Sequence, residues 1–508
     1  MLKNRLVKTL YILGVLVICG VLLSAAASQK SFWEDEAFTA IFAQKDISEL
    51  LQVTAWDVHP PLYLFIAGQW GRLFGFDELG LRSFSILCAL AALLLTYKLA
   101  RDLFDERTGL IAMTLMAFTP LLVMYGHNAR YYSLALLLAL LVTWTALRFQ
   151  SPHQFVFAIL YILSSAAFLY LIFAAAVVLF AVNLWWLVRW LIHKEKRSLG
   201  VLIIWLITQA VVVILYFPGV QILQNATSRF SELARVSNWL VEIIKRAGYY
   251  GFVSSVGETL SPLNPVAWLG VAVVVGVAVY AVIKAWRNLN FWLPIIFIVL
   301  IAVTNLAITF NIAVSQTWQN LTYRGFYLYP FLMIWLAVGF ARMPLRWGMG
   351  SGAVLGFVFV VGIFNYYTNR QFLRPVLTVP WQAIFQRIQQ ESQPGALVIC
   401  GFGDSSCYYY SERYGFGGID LNTWPSLADQ QYPVAWFVQS NLGRDVSTSG
   451  LPDQQAEFLQ QMLQRYSQAM VYNYAPQDPS IRRLKAEFLN QEDYAYRINL
   501  HKFFNLDK

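Results

Sequence analysis

Apolar runs of about twenty residues recur along most of this chain, and a run of that length is what an α-helix needs to cross the hydrocarbon core of a bilayer. They fall at roughly 9–28, 79–100, 109–124, 131–148, 154–171, 172–192, 199–218, 264–284, 291–311, 326–341 and 349–366, about eleven crossings. Of 508 residues, 58% are hydrophobic and 13% charged, against roughly a quarter charged in soluble domains. The fold class that follows is a polytopic α-helical membrane protein.

The basic residues sit between the runs. Lys3, Arg5 and Lys8, then Arg101 and Arg107, Arg148, Lys194, Lys196 and Arg197, Lys284 and Arg287, and finally Arg342 and Arg346 occupy alternate junctions. The positive-inside rule makes those junctions cytoplasmic. The N-terminus is then inside, the protein is multi-pass in a plasma (inner) membrane, and an odd number of spans places everything after Phe364 outside. The net charge of +9 has this topological origin; with no dense basic run, no nucleic-acid partner is expected. The basic start, apolar middle and "SAAAS" end of the first run also describe a cleaved signal peptide. The run is long for one, and cleavage would leave the following acids on a free tail, so an uncleaved anchor is expected.

Two domains follow: a transmembrane domain over 1–366 and a soluble extracytoplasmic α/β domain over 367–508, where no stretch is long and apolar enough to cross. In "VPWQAIFQRIQQ" the residues Trp381, Ile384, Phe385 and Ile388 share one helical face, and "PGALVIC" reads as a turn into a buried strand. A helix around 453–465, the strand "AMVYNY", a helix around 479–489 and a strand near 494–500 complete a small layered domain. Cys400 and Cys407 flank "GFGDSS" on the outer side, where a disulfide and two free thiols are both compatible with the sequence. "GFGD" reads as a tight turn, lacking the third glycine and the helix start of a phosphate-binding loop. Cys19 and Cys88 lie in spans and read as packing residues.

The outer loops carry the chemistry-bearing side chains. "SFWEDEAFTA" places Glu34, Asp35 and Glu36 just outside the first run, followed by an apolar stretch that suits the membrane surface. In the same loop Asp57 and His59 stand beside the rigid pair Pro60 and Pro61. At the next outer junction, "YGHNARYYS" holds His127, Arg130 and tyrosines including Tyr131. Carboxylates and aromatic rings suit sugar hydroxyls and sugar faces, and Arg or His suits a phosphate. A sugar phosphate fits all of them. Ordinary alternatives exist: solvated acids, a histidine capping the Pro-Pro bend, and arginines snorkelling to headgroups.

The blocks "FWEDEAFT", "DVHPPLYLF", "RSFSIL", "YGHNARYYSLALLL" and "YRGFYLYPFLMIWLAVG", in this order over roughly 1–345, resemble those of GT-C superfamily membrane glycosyltransferases, in the branch of the protein O-mannosyltransferases and lipid A aminoarabinose transferases. The resemblance implies a GT-C-like fold, a polyprenyl-phosphate-linked sugar donor, membrane lipids as surroundings, an extracytoplasmic acceptor and inversion at the anomeric carbon. It implies Asp35 and Glu36 as the catalytic pair, with Asp35 the general base for an acceptor hydroxyl. It further implies donor phosphate or sugar contacts from Asp57, His59, His127, Arg130, Tyr131, Tyr323, Arg324 and Tyr327. Two positions depart from the pattern. Val58 stands where the aminoarabinose transferases have a metal-binding acid, so no cofactor is certain and a divalent metal would require Asp57 or another acid as ligand. Asn128 stands where an acid often precedes Ala-Arg, which removes a second catalytic carboxylate there.

A flippase for lipid-linked sugars is the rival from another class. Transporters usually carry charges within spans and broken helices in repeated halves; here charges avoid span centres and no repeat is evident. A scaffold acting through the outer domain would leave the loop acids unexplained. The stretch from Ser228 to Arg246 has its apolar residues on one helical face and reads as a surface-lying helix roofing the site.

Overall fold

The computed structural model describes residues 5–56, 60–192, 198–230, 239–299, 322, 325–373, 375–392, 395–401, 404–423, 432–440, 451–466, 468–474, 480, 481, 483 and 498–504. Two compact units emerge, one of Met1–Ala27 with Lys45–Phe364, the other of Ser28–Gln44 with Asn365–Lys508.

Helices are numbered along the whole chain. The first unit is built on α1 (Arg5–Gln29), α3 (Ile47–Trp56), α4 (Leu62–Phe74), α5 (Glu78–Leu103), α6 (Glu106–Phe118), α7 (Pro120–Tyr125), α8 (Tyr132–Arg148) and α9 (Gln154–Leu169). It continues with α10 (Ala175–Ile192), α11 (Leu199–Tyr216), α12 (Gly219–Phe230), α13 (Trp239–Val256), α14 (Pro265–Ala285), α15 (Leu289–Val299), α16 (Tyr329–Arg342) and α17 (Leu345–Tyr367). Among the described residues, six of these (α1, α5, α10, α11, α14 and α17) have at least 18 residues and the apolarity to cross a membrane. Shorter apolar helices lie at Tyr132–Arg148, Gln154–Leu169, Leu289–Val299 and Phe326–Arg342. The run expected at 109–124 is divided, because Pro120 has no N–H to continue the ladder and instead opens α7 after Thr119. Residues 231–238, within the expected surface helix from Ser228 to Arg246, lie outside the described residues.

Polar caps and small residues organise this unit. The Asp77 carboxylate accepts from Gly80 N–H at 2.7 Å and starts α5; Asp105 accepts from Thr108 N–H at 2.8 Å and starts α6. Helices approach closely where side chains are absent: a Cβ on Gly339 would lie 2.6 Å from the Val277 carbonyl oxygen, and one on Gly109 2.8 Å from that of Tyr97. Among the described residues, basic side chains of four junctions gather at one end: Lys8, Arg101, Arg148 and Arg342. Lys8 pairs with Glu106 at 3.4 Å, the Nε atoms of Arg101 and Arg148 donate to Asp102 at 3.1 and 3.0 Å, and the Arg342 guanidinium lies 5.7 Å from the Phe104 ring. Since α6–α7 lead away from Glu106 and α8 returns to Arg148, the 125–132 elbow occupies the opposite end.

The second unit contains α2 (Glu34–Phe42), α18 (Trp381–Glu391), α19 (Ser405–Arg413) and α20 (Leu451–Arg465) with strands β1 (Leu397–Cys400), β2 (Ile419–Asp420), β3 (Val434–Ser440), β4 (Gln468–Tyr474) and β5 (Ile498–Phe504). The sheet order is β2-β1-β3-β5-β4, parallel across β2, β1 and β3 and antiparallel across β3, β5 and β4. Alternation along the strands sends Leu397, Ile399, Ala435, Phe437 and Phe503 to one face, where Phe458 and Met462 of α20 cover them. The opposite face takes α18, whose Trp381, Ile384, Phe385 and Ile388 are all buried as their spacing predicts. Glu391 at the end of α18 accepts from Tyr472 Oη at 2.8 Å and pairs with Lys502 at 3.0 Å. Burial opposes its charge, yet these two partners outweigh burial and hold the carboxyl below its usual range. A helix does start after "GFGD": Asp404 caps α19 by accepting from Ser406 N–H at 2.6 Å, while Phe402 and Gly403 lie outside the described residues. Cys400 and Cys407 form a disulfide that ties β1 to α19. The last strand is described over Ile498–Phe504, overlapping the expected 494–500; residues 494–497 and most of the expected 479–489 helix lie outside the described residues.

Candidate active site

The elbow between α7 and α8 concentrates polar side chains at one end of the membrane unit. Gly126, Asn128 and Arg130 turn the chain, with Arg130 N–H donating to the Asn128 carbonyl at 2.7 Å and Ser133 Oγ donating to the Gly126 carbonyl at 2.7 Å. His127, Asn128, Arg130 and Tyr131 are all buried. His127 Nδ1 lies 2.9 Å from the Val123 carbonyl oxygen; a carbonyl only accepts, so Nδ1 carries the proton. The Arg130 guanidinium carbon lies 5.8 Å from the Tyr131 ring centre, a cation–π distance. Arg130 also stands beside the N-terminus of α8, which no side chain caps. A guanidinium and the N-terminal end of a helix dipole both present positive charge, a combination suited to an anion. Asn128 Nδ2 is buried without a hydrogen-bond partner among the described residues. Tyr327, in the 3₁₀ turn preceding α16, is buried with its ring edge-on to Phe168 at 5.8 Å.

Behind the elbow lies a residue that sequence patterning did not single out. Glu258, fully buried just after α13, accepts from Tyr249 Oη at 2.8 Å and from Tyr125 Oη. Gly257, at φ 87°, makes the turn, and a Cβ there would meet the Pro120 ring at 2.9 Å. One signal pointed to it: Glu258 is the sole acid between Glu242 and Glu391, and an isolated acid at the edge of a span is costly unless partnered.

The acid triplet belongs to the second unit. Glu34, Asp35 and Glu36 form the first turn of α2, where carboxylates complement the helix dipole. Successive helical positions diverge by about 100°, so the three do not act as one patch. Glu36 is fully buried with Oε2 3.5 Å from Trp33 N, while Glu34 and Asp35 are half-buried. Asp57, His59, Tyr323 and Arg324 lie outside the described residues, as does Val58. Among the described residues, no three His, Cys, Asp or Glu side chains come together as a metal site requires.

Residues 58–220 match the family model of dolichyl-phosphate-mannose-protein mannosyltransferase. Among solved structures the chain is similar to ArnT from Cupriavidus metallidurans in the apo state, 12% identical with 97% of this chain and 98% of that chain covered at a TM-score of 0.56. The same organism's ArnT bound to undecaprenyl phosphate matches at 13% identity, 97% of both chains and a TM-score of 0.53. The oligosaccharyltransferase of Archaeoglobus fulgidus in the apo form matches at 10% identity, 81% of this chain, 65% of that chain and a TM-score of 0.52. A comparison with curated proteins finds no match. The chain shares the overall fold of these solved structures, the fold that the resemblance of its sequence blocks implied, with a small C-terminal sheet.

Proposed function

We propose that this chain is an inverting glycosyltransferase that moves a sugar from a polyprenyl-phosphate-linked donor to an acceptor hydroxyl on the extracytoplasmic face of the plasma (inner) membrane. The observation that carries the proposal is the buried Arg130 beside the uncapped N-terminus of α8, with His127 and Asn128 on the same elbow. In this reading Arg130, with Arg324 and His59, binds the lipid phosphate, and Tyr131, His127, Tyr323 and Tyr327 line the donor site. Asp35 takes the proton of the acceptor hydroxyl as its oxygen attacks the anomeric carbon. The bond from that carbon to the phosphate oxygen breaks, and its electron pair stays on the lipid phosphate. Each well-placed donor stabilises that growing charge by about 3 kcal/mol. Glu36 shares the helix turn with Asp35 and supports its role. Val58 in the place of a metal-binding acid favours turnover that persists in excess chelator.

The test uses purified protein in nanodiscs, a panel of undecaprenyl-phosphate-linked sugars, and membranes of a strain lacking the gene as acceptor. Release of free undecaprenyl phosphate together with a glycosylated acceptor is expected. A flippase would return the donor intact, and that result would sink the proposal. The orientation is tested by alkaline phosphatase fusions, expected active after Asn365 and inactive after Arg197.

A further inference from the structure

The segment Ser28–Gln44, which holds the acid-bearing helix α2, is part of the same compact unit as the C-terminal sheet. Its attachments are specific. Lys30 Nζ donates to the Tyr366 carbonyl at 3.0 Å and to Asn369 Oδ1, with its ammonium 4.9 Å from the Tyr366 ring centre. Ser31 Oγ accepts from Gln382 N–H at 3.1 Å, at the start of α18. The buried Phe32 N–H donates to Tyr410 Oη at 2.7 Å, and the Phe32 ring meets Tyr409 edge-on at 5.2 Å. Beyond these contacts α2 itself packs along α19.

We infer that Tyr410 is a positioning residue for Asp35, holding the entry to α2 through its hydroxyl, and that the Cys400–Cys407 disulfide fixes the helix from which Tyr410 projects. The inference rests on the function proposed above. Tyr410 is fully buried, its ring lies 6.2 Å from that of Phe385, and its helix is fastened at the N-terminal end by the disulfide and the Asp404 cap. Only two residues separate Phe32 from Asp35, so the hydrogen bond sets where α2 begins. A buried N–H deprived of its acceptor does not stay where it was. Productive proton transfer tolerates little displacement of the base, and an error of about 1 Å can cost roughly a hundredfold. On this account the C-terminal unit is the mount of the general base.

Tyr410→Phe keeps the ring and removes the hydroxyl. In the full-length protein in nanodiscs, hydrogen exchange of the amides of 32–42 should accelerate about tenfold, while kcat with the undecaprenyl phosphate donors falls about tenfold and donor KM stays within twofold. The pair Cys400→Ala with Cys407→Ala should loosen α19 as well and reduce kcat in the same sense. Tyr466→Phe, on the opposite face of the sheet, should move none of these readouts. Unchanged exchange at 32–42 or unchanged kcat in Tyr410→Phe overturns the inference, as does an equal rise in donor KM. Were the wild type inert with every donor, the proposed function would fall instead, and the exchange data alone would decide whether Tyr410 anchors α2.

Discussion

The two units organise their chemistry in opposite ways. In the membrane unit the polar side chains of interest come from one continuous stretch, 125–132, because a tight elbow between two apolar helices forces neighbouring residues into one place. The second unit is assembled from segments more than three hundred residues apart: Ser31 meets Gln382, and Phe32 meets Tyr410. In the proposed reaction the cations that bind the donor therefore belong to the unit read directly from the chain. The acids belong to a unit held together by tertiary contacts. The proposal thereby assigns donor binding to residues of the first unit and proton transfer to a residue of the second.

Asp35→Asn tests that division most severely. Asparagine keeps the shape and removes the basic lone pair, so turnover should fall about 10²-fold to 10⁴-fold while donor affinity holds. Near-normal turnover would mean that the acceptor is already an anion or that Glu36 is the base. Arg130→Gln should do the reverse, weakening donor binding about 10-fold to 100-fold, the usual range for a lost hydrogen bond to a charged group, with a smaller change in kcat. If Arg130→Gln and Asp35→Asn affected the same kinetic constant, the comparison would collapse.

Two smaller effects sharpen the contrast through stability. Gly257→Ala in the membrane unit forces a left-handed backbone on alanine and pushes its Cβ against Pro120, at a cost of about 1–3 kcal/mol. Thermal unfolding in detergent should register that loss, and an unchanged midpoint would mean that the turn relaxes. In the second unit, His501 is kept neutral by burial, its pKa lowered from 6.5 to about 4. The unfolded chain binds the proton first, so stability is complete above pH 6.5 and declines as pH falls towards 4, by about 1–2 kcal/mol once solvent screening is allowed for. Hydrogen exchange along β3 and β5 of the full-length protein at several pH values measures this. His501→Leu should flatten the profile.

Much of the molecule was legible beforehand. The buried face of α18, the strands at β1 and β4, the helix α20 and most spans follow from apolar periodicity and run length, which are local. The strand β3 and the helix α19 were not anticipated. "VAWFVQS" has a continuous apolar stretch too short to distinguish strand from helix, and "SSCYYYSER" has weak helical preference that its Asp404 cap and the disulfide override. At the candidate site, His127, Arg130 and Tyr131 are named by residue type and by the resemblance, and the structure sets them on one elbow because they are neighbours in the chain. Glu258 was passed over because its tyrosine partners include Tyr125, 133 residues earlier.

By itself the sequence determined the solvent of each segment and hence the class of fold: backbone in lipid must satisfy its own hydrogen bonds, so runs of apolar residues become helices whatever surrounds them. It also determined which side chains share the junction between α7 and α8, since the elbow at 125–132 is closed by contacts within a few residues. Only the tertiary structure decided that Glu36 turns inward while Asp35 stays half-exposed, and that the loop bearing them joins the C-terminal sheet. Those outcomes depend on hydrogen bonds that Lys30 and Phe32 donate to, and Ser31 accepts from, partners far along the chain. Such bonds form only after the loop-closure entropy of hundreds of residues has been overcome by the packing of the whole unit, and nothing in the ten residues around the acids encodes it.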